Sequence, residues 1–282
     1  MSGARLEPVF RVRAGASTDT GRVRTHNEDA FLADHPVFLV ADGMGGHTRG
    51  DAAADAVVRQ FAALAGRPWL LAADLHEAVS AAASAIEALE SVGRAPGTTL
   101  AGVAVTRQSG RPYWLVFNVG DSRIYLARDG RLEQISVDHS RRQELIDAGV
   151  DPDAVRIGRN IITRALGAGR PGVPLLDQWL LPAQAGDRML VCSDGLNSEV
   201  PDPLILATLS SCPDPQDAAR ALVAAALAAE ARDNVTVLVV DAVEVEASAP
   251  LGGDEGVTRP EAVRPDDDTV NLTELGLQLR GE

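Results

Sequence analysis

At 282 residues, 45% of them hydrophobic, the chain is long enough to bury a full core. Its formal net charge of −14 argues against nucleic acid as a partner, because phosphate-backbone binding draws on clustered Lys and Arg. The 26 basic residues are all arginine, and a chain without lysine supports neither a P-loop, nor a protein-kinase site, nor Schiff-base chemistry.

Residues 1–8 lack the apolar core of a signal peptide, and no apolar stretch reaches the roughly 18 residues that span a bilayer. Cys192 and Cys212 form no CxxC pair, so a reducing, cytoplasmic setting without a membrane partner is expected. Strands are expected over 34–41, 99–107, 113–119 and 123–128, and the hairpin signal Asp129-Gly130 leads into another over 131–136. Helices are expected over 51–64 and 73–92, where Leu75, Val79, Ala82, Ile86 and Leu89 recur every three or four positions. Segment 141–160 reads as a short helix ended by Gly149, followed by a loop. Asp202-Pro203 and Asp214-Pro215 each place an N-cap before a proline, opening helices over 203–209 and 215–231. Strands and helices are grouped rather than alternating, which predicts an α+β fold of antiparallel sheet with helices packed outside it.

From Glu244 the composition changes. Residues 244–282 hold ten acidic residues against Arg259, Arg264 and Arg280, a net of −7, with several prolines and glycines. This is the composition of a disordered tail, with a weak helix over 272–279 and a threonine, Thr269, behind three aspartates that a kinase or a docking partner could use.

Four aspartates stand at the edges of apolar runs: Asp42 after Phe38-Leu39-Val40-Ala41, Asp121 after Asn118-Val119-Gly120, Asp194 after Leu190-Val191-Cys192-Ser193, and Asp233 before Val235-Thr236-Val237-Leu238. Carboxylates that a rigid sheet brings to one spot cannot all stay charged without a positive neighbour, and a hard divalent cation suits them. Neither cysteine is followed by a phosphate-cradling loop ending in Arg, which removes a cysteine nucleophile.

Taken in order, Arg24-Thr25-His26-Asn27-Glu28-Asp29, Asp42-Gly43-Met44-Gly45-Gly46-His47, Gly97-Thr98-Thr99, Gly120-Asp121-Ser122-Arg123, Asp138-His139-Ser140, Thr163-Arg164-Ala165-Leu166-Gly167, Ser193-Asp194-Gly195 and Asp233-Asn234 form an ordered set. The set resembles the bacterial branch of the metal-dependent protein serine/threonine phosphatases, type 2C, over residues 12–243, leaving 1–11 as a lead-in and 244–282 as the tail. The resemblance implies an antiparallel β-sandwich of two sheets flanked by helices, in α-β-β-α layers. It implies two Mn²⁺ or Mg²⁺ ions with provision for a third: Asp42 bridging, the Gly43 carbonyl on one ion, Asp194 and Asp233 on the other, and Asp121 with Asp194 on the third. Glu28 and Asp29 match carboxylates that hydrogen-bond the waters of the metals, and Arg24 matches the arginine that binds the substrate phosphate. A metal-bridging water would attack phosphorus directly, in phosphoserine or phosphothreonine of proteins phosphorylated by a cognate kinase. A pseudophosphatase that binds phosphoproteins on the same fold is the alternative. One departure concerns the leaving group: animal members carry a histidine where this chain has Met44, so no general acid carries over. His47 is nearby in sequence, and His139 is expected to be structural.

Overall fold

In the computed structural model of the chain, residues 9–45, 49–89, 95–151 and 161–246 are described, together with the backbone of 270–271. The strands are β1 (Val9–Asp19), β2 (Asp29–Asp34), β3 (Val37–Met44), β4 (Gly97–Thr98), β5 (Leu100–Gln108), β6 (Arg111–Val119) and β7 (Arg123–Arg128). They continue with β8 (Arg131–Gln134), β9 (Leu166–Gly167), β10 (Asp177–Pro182), β11 (Arg188–Cys192), β12 (Val235–Glu246) and β13 (Val270–Asn271). The helices are α1 (Gly50–Ala62), α2 (Ala72–Glu87), α3 (Arg141–Asp147), α4 (Asp194–Asn197), α5 (Asp202–Ser211) and α6 (Pro215–Ala228).

Side chains alternate across a strand, so a strand buried on both faces must be apolar at every position. In β3, Val37, Leu39 and Ala41 pack with Val57 and Phe61 of α1 and Leu75, Val79 and Ile86 of α2. Phe38 and Val40 point the other way, into a core shared with Ile124, Met189, Val191, Leu238 and Val240 of the second sheet. The far face of that second sheet, with Tyr125, Leu190, Val237 and Val239, is covered by Leu196, Ile205, Leu222 and Val223 of α4, α5 and α6. Three cores therefore separate four layers, in the order helix, sheet, sheet, helix: the grouping of the elements predicts the helices outside antiparallel sheet, and the resemblance implies the pair of sheets. The smaller sheet runs β1-β12-β11-β7-β8, and the larger runs β13-β10-β6-β5-β3-β4-β9 with β2 beside β3. The strand pairs among the described residues are antiparallel. Asp129 and Gly130 both have positive φ, 51° and 72°, and close the β7–β8 hairpin where the Asp-Gly signal lies.

Several expected boundaries move, each for a local reason. The strand expected over 34–41 is two strands: Asp34 ends β2, and β3 continues through Asp42 and Gly43 because Gly43 and Met44 pair with Thr98 and Gly97. The strand expected from Thr99 starts at Leu100, since the Thr99 backbone N–H is taken by the Asp42 carbonyl at 2.9 Å. The strand expected to 136 stops at Gln134, where the Ser136 hydroxyl accepts from the Ile124 N–H at 3.0 Å. Helix α5 starts one residue early, because the Pro201 carbonyl accepts from Leu204 and Ile205 and so acts as the cap in place of Asp202. Asp214 does cap α6, accepting from Gln216 and Asp217, but α6 ends at Ala228 and the chain turns back through Ala231 at φ 42°. Helix α2 ends at Glu87, and the residues expected to extend it from 90 to 92 lie outside the described residues. The short helix expected after 141 is α3, and the loop expected to follow Gly149 lies outside the described residues from 152 to 160. The tail helix expected over 272–279 and Thr269 also lie outside them.

Strand β1 carries little sequence signal, because the inward Val12, Ala14 and Ala16 are small and alternate with Arg11, Arg13, Gly15 and Ser17. It pairs along its whole length with β12. An added Cβ at Gly15 would lie 2.2 Å from the Gln216 backbone nitrogen at the start of α6. Gly15→Ala is therefore expected to cost about 1–3 kcal/mol through overpacking. Urea unfolding measures this, and an unchanged midpoint would show that α6 is not seated on β1.

Candidate functional site

One end of the sandwich collects strand termini from both sheets. Asp29 at the start of β2 pairs in register with Asp42 near the end of β3. The Asp42 N–H donates to the Thr99 hydroxyl at 3.0 Å, and its carbonyl accepts from the Thr98 hydroxyl at 3.0 Å. The Gly43 N–H donates to the Glu28 carbonyl at 3.1 Å, which draws the segment before β2 against β3. That closeness requires glycine: an added Cβ at Gly43 would lie 2.4 Å from the carbonyl oxygens of Glu28 and Gly50. From the other sheet, Asn234 accepts from the Glu28 N–H at 2.9 Å and donates to the carbonyls of Thr20 and His26, both at 2.9 Å. Asp233 is thereby fixed next to residues 20–28, and Arg24 Nη2 donates to Asp233 Oδ2 at 2.7 Å.

Asp29 is clamped from beneath. Its Oδ2 accepts from the Ser193 hydroxyl at 2.8 Å and from the Thr236 hydroxyl at 2.7 Å. Ser193 precedes Asp194, the first residue of α4, and its hydroxyl accepts from the Thr236 N–H at 2.9 Å. One carboxylate thus ties β2, β11 and β12 together. Residues Arg24, Glu28, Asp42, Gly43, Asp194 and Asp233 share the lining of a cleft of about 630 Å³. Asp121 is not in that cleft: with Asp194, Arg123, Asp138 and Asp202 it lines a neighbouring depression of about 290 Å³, so Asp194 faces both. Met44 also lines the cleft, and a thioether has no proton to give. His47 lies outside the described residues.

The carboxylates strain against one another. Asp42, Asp194 and Asp233 keep some surface on the cleft, yet protein crowds closely around the first two. Burial, together with the charges of Asp29, Asp194, Asp121 and Asp233, holds Asp42 well above the ordinary carboxylate range. Burial pushes Asp29 up to about 7, against the opposing hydroxyl bonds of Thr236 and Ser193. Asp121 rises to about 8 through burial and the charges of Asp194 and Asp138. Asp194 rises to about 6 through burial and Asp233, with Arg24 and Arg123 opposing. Burial raises Glu28 as well, against Arg24. Asp29 Oδ1 and Asp121 Oδ1 are buried with no hydrogen-bond partner among the described residues. Orphaned carboxylate oxygens in a crowd of acids suit a hard, oxygen-preferring divalent cation. Among the described residues, no group of three or more His, Cys, Asp or Glu side chains is already drawn to metal-holding separation. Water would complete the coordination shell, as Mg²⁺ commonly requires.

His139 stands apart from this chemistry. Its Nδ1 accepts from the Gly120 N–H at 2.9 Å, which fixes the proton on Nε2, and Nε2–H donates to Asp177 Oδ2 at 3.0 Å. The ring braces the backbone before Asp121, the structural part expected of it. Cys192 is buried and its thiol is pushed up to about 12, so it offers no nucleophile. Thr99, Ser193 and Asn234 belong to the ordered motif set but carry no assigned role in it, and Thr236 lies outside it. Their hydroxyls and amide reach partners 57 to 207 positions away, and no local pattern announces that.

Carboxylates whose folded pKa lies above the unfolded value of about 4 bind protons more tightly in the folded state, so stability declines as pH rises through the folded pKa. With Asp194 at about 6, Asp29 at about 7 and Asp121 at about 8, the metal-free protein should lose stability from pH 5 to pH 8. Thermal unfolding in chelator should show the melting temperature falling across that window and Mn²⁺ restoring most at its upper end. A melting temperature that rises with pH would contradict these shifts.

Comparison with known proteins agrees with this geometry. Residues 20–228 match the family model described as protein phosphatase 2C. The chain is 39% identical over 272 residues to the serine/threonine protein phosphatase PstP of Mycobacterium tuberculosis, a match covering 93% of this chain and 50% of that protein. The chain thus spans about half the length of that relative. It is 34% identical over 245 residues to the serine/threonine phosphatase stp of Listeria monocytogenes, covering 79% of this chain and 93% of that protein. Among solved structures, the PstP catalytic domain in complex with two manganese ions superposes with a TM-score of 0.73 at 38% identity, covering 84% of this chain and 100% of that one. MsPP of Mycobacterium smegmatis in complex with cacodylate gives 0.70 at 38% identity, covering 81% of this chain and 97% of that one. Matched by the family model over residues 20–228, and superposing on the PstP catalytic domain across 84% of its length, the chain belongs to the protein phosphatase 2C family.

Proposed function

We propose that the chain is a metal-dependent phosphatase that hydrolyses phosphoserine and phosphothreonine in proteins by direct attack of water. The observation that carries this reading is the convergence of Asp42, Asp194 and Asp233, from three different strand ends, on one cleft that Arg24 also lines. In this reading Asp42, the Gly43 carbonyl, Asp194 and Asp233 hold two divalent cations, Mn²⁺ or Mg²⁺, and Asp121 with Asp194 holds a third. Bound cations supply the Lewis acidity that makes water nucleophilic at neutral pH and neutralises the phosphoryl oxygens. The complex of PstP with two manganese ions and that of MsPP with cacodylate, a tetrahedral oxyanion, support this reading.

The protein groups divide the remaining work. Arg24 is tied to Asp233 through Nη2, which leaves its other N–H donors for phosphate oxygens in the planar fork that suits them. Asp29 is held through Oδ2, and its unpartnered Oδ1 can accept a hydrogen bond from water and orient it. Glu28 lines the cleft and serves in the same way. Met44 cannot protonate the leaving alkoxide, and in this reading water in the cleft supplies that proton. Among the described residues no helix is long and apolar enough to cross a membrane. A cytoplasmic site of action on the products of a serine/threonine kinase follows as part of the proposal.

Hydrolysis of a phosphothreonine peptide with and without Mn²⁺ tests the reading. Asp194→Asn should cut kcat/KM at least about 100-fold, since it removes a carboxylate that faces both the cleft and the neighbouring depression where the third cation would sit. Arg24→Ala should act mainly on KM, raising it about tenfold through loss of a charge-assisted phosphate contact. Wild-type protein that binds Mn²⁺ yet releases no phosphate would reject hydrolysis in favour of phosphoprotein binding alone.

A further inference from the structure

Three guanidinium groups line the cleft, those of Arg24, Arg164 and Arg170, and they differ in what holds them. Arg24 is paired with Asp233. Arg164 Nη1 is paired with Asp177 Oδ1 and also donates to the Leu175 carbonyl at 3.3 Å. Arg170 has no carboxylate partner among the described residues: its Nη1 donates to the Thr163 carbonyl at 2.6 Å, and Glu144 senses its charge without bonding to it. The side chain is exposed, so its remaining donors face solvent along a cleft whose floor is acidic.

The backbone that presents Arg170 is built rather than loose. Gly167, Ala168 and Gly169 all have left-handed φ, at 73°, 52° and 77°. For Ala168, with its Cβ, that conformation is uncommon and costs energy. The surroundings enforce it: the Ala168 N–H donates to the Pro96 carbonyl at 2.8 Å, and the Arg170 N–H closes a turn on the Gly167 carbonyl at 3.0 Å. Strand β9 pairs with β4, and β4 pairs with β3 at Gly43, so the turn is fixed to the same strand that carries Asp42. A strained turn anchored to the catalytic strand holds a cation with spare donors at the rim of the cleft.

We propose that Arg170 is a specificity-determining residue that binds a second negative charge of the substrate, close in sequence to the phosphorylated residue. This rests on the phosphatase reading above and adds a substrate class to it: phosphopeptides with an acidic side chain, or a second phosphate, beside the reacting group. A fixed guanidinium recognises either anion through the same paired N–H donors, and attraction at the cleft mouth offsets the repulsion that a chain of net charge −14 imposes on any acidic substrate. This chain itself carries such a sequence at Asp266-Asp267-Asp268-Thr269, which supplies a natural probe.

The test compares wild type, Arg170→Gln and Arg170→Lys, as full chains with Mn²⁺, on four substrates. These are para-nitrophenyl phosphate, a peptide of residues 262–275 phosphorylated at Thr269, the same peptide with its three aspartates changed to asparagine, and one with phosphoserine in place of Asp267. Arg170→Gln should raise KM for the acidic peptide about tenfold, the size expected for one charge-assisted contact, and leave kcat unchanged. KM for para-nitrophenyl phosphate and for the asparagine peptide should stay within about twofold, and Arg170→Lys should recover part of the loss. The acidic and doubly phosphorylated peptides separate the two anions: whichever loses more on Arg170→Gln is the better fit. An unchanged preference for acidic over asparagine peptide would overturn the proposal. An equal loss on para-nitrophenyl phosphate would overturn it too, by placing Arg170 on the reacting phosphate. Anisotropy of the labelled acidic peptide, which needs no turnover, reads the same contact. If wild type hydrolyses none of the four, the phosphatase reading fails while the binding comparison still decides the role of Arg170.

Discussion

The mutual repulsion of carboxylates held at one end of a rigid β-sandwich is the constraint on which the rest of this structure depends. Left to themselves, Asp29, Asp42, Asp121 and Asp194 would separate or take up protons, and burial together with neighbouring charge pushes each of them toward the neutral form. The fold prevents separation. Asp42 is fixed by Thr98 and Thr99, Asp29 by Ser193 and Thr236, and Asp233 by its neighbour Asn234, which reaches three backbone groups of residues 20–28. A site built this way stores unfavourable electrostatics that a divalent cation relieves, which makes cation binding and site integrity one property.

The layers explain why the site can be this rigid. Each of the two sheets is covered on both faces, so the strands that end in aspartates are anchored by residues such as Leu39, Val40, Val191 and Leu238 that have no exposed surface. Close-packed interiors transmit displacement poorly as bending and well as rigid placement. Two glycines let the ends converge: Gly43, where β3 passes the backbones of Glu28 and Gly50, and Gly195, where an added Cβ would sit 2.0 Å from the Asn234 carbonyl. A methyl group at either point would push β2 or β12 away from the cleft.

Much of this was legible in the sequence, and the rest was not for physical reasons. The aspartates at strand edges, the apolar runs of β3, β11 and β12, and the Asp129-Gly130 hairpin are local patterns that give an α+β fold, and the family resemblance adds its four layers. Strand β1 was hidden because its inward residues are small, and β2 because it is short and ends in the exposed pair Ala33-Asp34. The clamp on Asp29 could not be read at all. Ser193 and Thr236 look like ordinary polar residues of strand ends until folding brings them across 164 and 207 positions to one carboxylate oxygen. Arg164 and Arg170 are alike in sequence and unlike in place, one bonded to Asp177 and the other to a carbonyl.

The most direct measurement is a calorimetric titration of the metal-free protein with Mn²⁺ at pH 6.5, in two buffers of different ionisation enthalpy, giving both the ions bound per chain and the protons released. With Asp29 at about 7 and Asp121 at about 8, part of the site is protonated at that pH. At least two ions should bind with net release of protons, and Asp42→Asn should lose the tightest of them. Binding of fewer than one ion, or binding without proton release and indifferent to Asp42→Asn, would contradict the account of the cleft as a crowd of acids awaiting a cation.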